Sequence, residues 1–154
     1  MKHRWLEIVF ITPGPGANRA RSRILTETGL NQLELGDVES ASASLNEALT
    51  ISRTLELRPL PERADMLVGL GRSLLARNRP ADALPHLEDA DGFWRTFDSE
   101  SRWAGEASLW LGRTYAALGR DADAAAALSR ARAILSRSAI RSDARLARLA
   151  EVRR

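Results

Sequence analysis

Between about residues 21 and 137, apolar side chains fall three and four positions apart, the spacing of one face of an α-helix. The pattern is clearest in three alanine-rich stretches: Ala41, Leu45, Ala48; Ala83, Leu87, Ala90; and Ala124, Leu128, Ala131. Each lies at a fixed distance after a glycine. Gly29, Gly71 and Gly112 precede the first alanine of their copies by twelve residues and are themselves 42 and 41 residues apart. Small residues at these offsets let two helices approach closely. A helix-interior glycine costs about 1 kcal/mol relative to alanine, so three in register call for a packing role. Each glycine is expected to face its alanine: Gly29 with Ala41, Gly71 with Ala83, Gly112 with Ala124.

The period predicts helix pairs at about 21–35 with 38–56, 61–77 with 80–97, and 99–118 with 121–136, and a last helix at about 142–153. Pro61 and Pro80 suit first-turn positions, where a missing N–H costs nothing. Gly36 and Gly119 suit the left-handed residue that ends a helix. Asp98 or Ser99 is expected to cap the fifth helix and Ser142 the last. Pro85 falls inside the fourth helix, where it removes a backbone bond. The chain is therefore expected to be all-α, an α-solenoid of about three antiparallel helix pairs. Its repeats span about 21–60, 61–98 and 99–137, and the helix at 142–153 caps the array. Residues 1–20 do not follow the pattern. They carry the breaker cluster Thr12-Pro13-Gly14-Pro15-Gly16 and are expected to form an irregular N-terminal arm, with 21–154 as the repeat domain.

These positions resemble the tetratricopeptide repeat family, whose unit carries an L-G…Y…A…F…A pattern. The third copy matches best, at Leu111, Gly112, Tyr115, Leu118, Gly119, Ala124, Leu128 and Ala131. The second matches at Leu70, Gly71, Leu74, Pro80, Ala83, Leu87 and Ala90. The first is weakest, with Thr28 before Gly29 and Gln32 where a large apolar residue is usual. The period exceeds the family's 34 residues by about one turn on each helix of the pair. The resemblance implies a scaffold that binds a protein or peptide in a concave groove, with no catalytic residues. Longer-period relatives occur in bacterial regulatory proteins and motor-cargo adaptors. An alternative is therefore an oligomerisation or regulatory repeat segment of a larger bacterial signalling protein, such as a serine/threonine kinase or a transcriptional regulator.

Charge and chemistry narrow this picture. The formal net charge is +3, and Lys2 is the only lysine among 23 basic residues. Residues 120–154 hold 9 arginines against 4 acids, whereas the rest holds 14 basic and 16 acidic residues. A mildly basic end favours acidic partners but is weak support for nucleic acid. With no cysteine there is no disulfide or thiolate site, which fits a cytoplasmic setting. His3 and His86 are the only histidines and stand in no metal-ligand or catalytic spacing, so no metal and no cofactor is expected. Gly69-Leu70-Gly71-Arg72-Ser73 lacks the third glycine and the preceding strand of a dinucleotide fingerprint. No stretch approaches the roughly 20 apolar residues of a membrane span. Glu7 interrupts the short apolar start, so no signal peptide is expected.

In the family the first helix of each pair lines the groove. The resemblance thus places Asp65, Val68, Arg72 and Leu75 from the second copy, and Glu106, Leu109, Arg113 and Ala116 from the third, on the groove wall. Asp65 with Arg72 and Glu106 with Arg113 are each seven residues apart on one face. Such pairs can form a ladder of exposed ion pairs worth about 0–1 kcal/mol each. They can also present arginines as a bidentate seat for the carboxylates of an acidic peptide. The aromatics Phe93, Trp94, Phe97, Trp103 and Trp110 are expected to fill core, with an exposed anchor for a partner as the alternative. Self-association stays open.

Overall fold

The computed structural model describes residues 15–54 and 61–151, and the side chains of 16–54 and 61–137. Among the described residues six helices follow one another: α1 Pro15–Glu34, α2 Val38–Thr54, α3 Pro61–Ala76, α4 Pro80–Phe97, α5 Arg102–Ala117 and α6 Asp121–Glu151. No strand occurs among the described residues. The fold is an all-α repeat stack, as the three-and-four spacing predicts. Each helix packs on the next in the chain. In addition the backbones of α1 and α3, and of α3 and α5, come close, whereas those of α2 and α4, and of α4 and α6, stay apart. The stack is therefore curved, with the first helix of each pair on the inside.

The buried faces follow the repeat. Ala41, Leu45 and Ala48 on α2, Ala83, Leu87 and Ala90 on α4, and Ala124 and Ala131 on α6 are all buried, whereas Leu128 is half-buried. The glycines do not meet the alanines as expected. A Cβ at Gly71 would lie 2.4 Å from Leu87 Cγ, one at Gly112 2.7 Å from Leu128 Cγ, and one at Gly29 2.6 Å from Leu45 Cγ. Ala41 enters only through its carbonyl oxygen, 3.2 Å from that position on Gly29. The partner is thus the leucine sixteen residues on. A missing Cβ opens a hole that a branched leucine fills, while alanine is too short to reach it. Leu45 serves twice, since a Cβ on Gly69 of the next pair would also meet it, at 2.8 Å.

The turns within the pairs are built alike. Gly36, Asn78 and Gly119 hold positive φ values of 82°, 57° and 71°. In each case the residue that follows closes a backbone bond to a carbonyl five positions back: Asp37 to Gln32, Arg79 to Leu74 and Arg120 to Tyr115, all at 2.9 Å. Two of these positions carry glycine as expected. The third is asparagine, one of the few other residues that tolerates this conformation. Asp37 caps α2, accepting a bond from the Ser40 N–H at 3.1 Å; the Ser40 hydroxyl first, and this N–H second, hold its carboxyl below the ordinary range.

Three expectations change. The fifth helix is capped by Ser101, which accepts from the Ala104 N–H at 3.1 Å, and not by Asp98 or Ser99. Asp98 serves instead in the preceding turn, where its carbonyl accepts from the Ser101 hydroxyl at 2.8 Å. The last two expected helices, 121–136 and 142–153, form one 31-residue helix, so Ser142 caps nothing. Residues 137–142 contain serine and arginine but no glycine or proline, and nothing in them breaks a helix. Helix α1 starts at Pro15, inside the expected arm, with proline at a first-turn position. The rest of that arm, 1–14, lies outside the described residues.

Candidate functional site: the concave face

The inner helices α1, α3 and α5 enclose a cavity of about 150 Å³ on the concave face. Leu30 and Glu34 reach it from α1, Asp65, Val68 and Arg72 from α3, and Arg102, Trp103 and Glu106 from α5. Four of the eight expected groove residues thus meet here: Asp65, Val68, Arg72 and Glu106. Leu109, Arg113, Leu75 and Ala116 do not line it. Leu75 packs, partly buried, against the core, Leu109 is half-buried, and Ala116 is exposed.

The expected pairs within one helix are absent. Arg72 bonds Glu34 of α1 at 2.6 Å, and Glu106 pairs with Arg102, one turn earlier, at 2.7 Å. Seven residues span about 10.5 Å of helix, too far for the short Asp65 side chain and Arg72. Arg72 and Arg113 instead share Trp110. Their guanidinium carbons lie 4.8 Å and 4.7 Å from its ring centroid. Arg72 is largely covered, and Arg113 is exposed and has no acidic partner among the described residues.

Asp65 is left without a hydrogen bond or ion pair among the described residues. Burial pushes its carboxyl up to about 7, and the negative charges of Glu27, Glu62 and Glu106 add to this. The concave face accordingly carries charged walls over an apolar floor. It is acidic around Asp65 and Glu106 and carries the stacked arginines about two turns further on.

The aromatics divide between the two readings. Trp94 is core, only 4% exposed and edge-on to both Phe93 and Phe97. Phe97 is 61% and Trp103 46% exposed. Trp103 stands at the cavity with the Arg102 guanidinium 5.2 Å from its ring. The sequence pattern missed Glu34, Trp103 and Trp110 as groove residues. Leu30 was within reach, because it stands at the same offset in the first copy as Arg72 and Arg113 in the others. Glu34 was not, since its counterparts are Ala76 and Ala117. A polar triad away from the groove also escaped notice. Buried Asp91 of α4 accepts a hydrogen bond from Ser108 of α5 and pairs with Arg130 of α6 at 3.2 Å.

No helix among the described residues is long and apolar enough to cross a membrane. A search of curated proteins gives no match. Among solved structures, the chain is similar to nearly identical TPR-like repeats from a Podosopora anserina protein assigned as a kinesin light chain. The TM-score is 0.60 and the identity 22%, over 79% of this chain and 58% of that one, a likeness of fold. The profile of the tetratricopeptide repeat matches residues 26–96 and 100–139, well over half of the sequence. Together with the glycine–leucine register and the three left-handed turns, this places the chain in the tetratricopeptide repeat family.

Proposed function

We propose that this protein is an interaction scaffold, not an enzyme, that holds a protein or peptide partner in its concave groove. Tetratricopeptide repeats generally mediate protein–protein contacts. The observation that carries the reading here is the open cavity between α1, α3 and α5, with Leu30, Val68 and Trp103 as apolar floor and charged side chains as walls. Apolar contact there supplies affinity, while wall charges set register and specificity. The exposed Arg113 guanidinium, with no acid answering it among the described residues, favours an acidic segment at that end. A cytoplasmic setting suits such a role and belongs to the same proposal.

The test is affinity capture with the wild-type chain and with the Arg72→Gln/Arg113→Gln double variant, partners being identified and their contact sites mapped by cross-linking. Glutamine is preferable to glutamate at these positions, because a reversed Arg72 would stand against Glu34. Loss of the captured partners, with an unchanged melting curve, is the expected result. Equal capture by both proteins refutes the groove arginines. A second reading, self-association, is favoured by the exposed Phe97 ring stacked on Phe93 at 5.2 Å between centroids. Light scattering of wild type and Phe97→Ser separates it: a dimer that dissociates in the variant supports self-association.

A further inference from the structure

We infer that Glu34 is a built-in stand-in for a ligand carboxylate, occupying the arginine pair presented by Trp110 until an acidic side chain of the partner displaces it. The inference rests on the proposed groove function and concerns how that site is controlled.

Both guanidinium carbons lie within 4.8 Å of the Trp110 centroid, so they are no farther apart than about 9.5 Å, those two distances laid end to end. One indole thus holds two like charges close together. A stacked guanidinium keeps its face on the ring and its N–H edge free, which is the geometry that takes a carboxylate in two parallel hydrogen bonds. The described residues offer a single carboxylate to the pair. Glu34 contacts Arg72 at 2.6 Å, and Arg113 has none.

Glu34 is also the kind of group that can be displaced. It is the last residue of α1, its side chain is 69% exposed, and its only ion pair is with Arg72. Exposed ion pairs of this sort are weak, so an incoming carboxylate that also reaches Arg113 gains a contact that Glu34 does not make. The arrangement does not belong to the repeat. Trp110 stands where the first copy has Glu27 and the second Gly69, and Glu34 stands where the later copies have alanine. Both depart from the period, and both meet Arg72, from the repeats on either side of it.

The experiment measures binding of the full chain to N-acetylated, C-amidated octapeptides of serine and leucine, in which two adjacent glutamates are walked through the sequence. Each peptide has a glutamine twin. Wild type, Glu34→Gln and Arg113→Gln are compared by fluorescence anisotropy at low ionic strength. Glu34→Gln should bind glutamate peptides about two- to fivefold more tightly than wild type and leave the glutamine twins unchanged. Arg113→Gln should lose the preference for glutamate. If wild type prefers glutamate and Glu34→Gln does not strengthen that preference, the stand-in role is overturned while the acidic groove survives. If neither protein prefers glutamate, both are overturned. Glu34 is exposed at a helix end, so its substitution is not expected to disturb the fold, and a matching melting curve checks this.

Discussion

Leu45, Leu87 and Leu128 meet Gly29, Gly71 and Gly112 in the same way three times over. The concave positions Leu30, Arg72 and Arg113 are equivalent by the same period and do three different things. Leu30 lines the cavity floor, Arg72 bonds Glu34 across to α1, and Arg113 rests on Trp110 with no acidic partner among the described residues. The seam between paired helices is the part that must be identical for the stack to propagate. The concave face is under no such demand, and the copies diverge there. In this molecule the seam repeats in residue and in contact, whereas groove positions that recur, such as Arg72 and Arg113, make different contacts.

The largest effect should come from breaking the seam. In Gly112→Leu, the new Cβ alone would sit 2.7 Å from Leu128 Cγ and 3.1 Å from the Leu128 backbone nitrogen, which cannot rotate away. Overpacking of this kind costs about 1–3 kcal/mol. Because a short solenoid is held by nearest-neighbour interfaces, hydrogen exchange should quicken in α3 and α4 as well as in α5 and α6. An unchanged thermal melt, or a loss confined to α5 and α6, would contradict the close helix approach.

The concave face should behave in the opposite sense. Asp65 is raised to about 7 in the folded chain, against a value near 4 when unfolded. Between those values the folded chain keeps a proton that the unfolded chain has released. Stability should therefore fall as pH rises from about 4 to about 7 and level off above. Asp65→Asn removes this dependence. It should stabilise the chain by about 1–2 kcal/mol at pH 8 and change little near pH 4, as read from urea midpoints at both pH values. A destabilised variant at pH 8 would mean that the aspartate has a partner in the fold. Stability gained at a groove residue is expected where the wild-type side chain serves binding.

The smallest effect calibrates the first. Gly92 lies in α4 on an exposed face, and a Cβ there meets nothing within 4 Å. Gly92→Ala should stabilise by about 0.5–1 kcal/mol through helix propensity alone. Opposite signs at Gly92 and Gly112 would show that glycine in this chain is a packing residue only where a leucine faces it.

The same division decided how much could be read from the amino acids. Helix pairs, proline starts and the left-handed Gly36 and Gly119 depend on local residues and spacings, and these were legible. Ser101 displaced Asp98 and Ser99 as a cap because the polar run Asp98-Ser99-Glu100-Ser101 offers several starts, and only packing selects one. The uninterrupted α6 shows that polar residues without glycine or proline are a poor sign of a helix end. In the groove, Asp65, Val68, Arg72 and Glu106 were legible because they recur by offset. The contacts they make were not. Glu34 and Trp110 stand at positions with no like residue in the other copies, and they meet Arg72 from different helices. Only the curvature of the stack brings them together.

The glycine and the leucine of each seam belong to the same repeat, sixteen residues apart. A copied segment of about 42 residues would therefore carry both halves of its own lock. Duplication could lengthen the array without any new interior fit having to arise by mutation. Each added copy would bring a fresh stretch of concave wall, free to vary from the start because the helix pair beneath it is already closed.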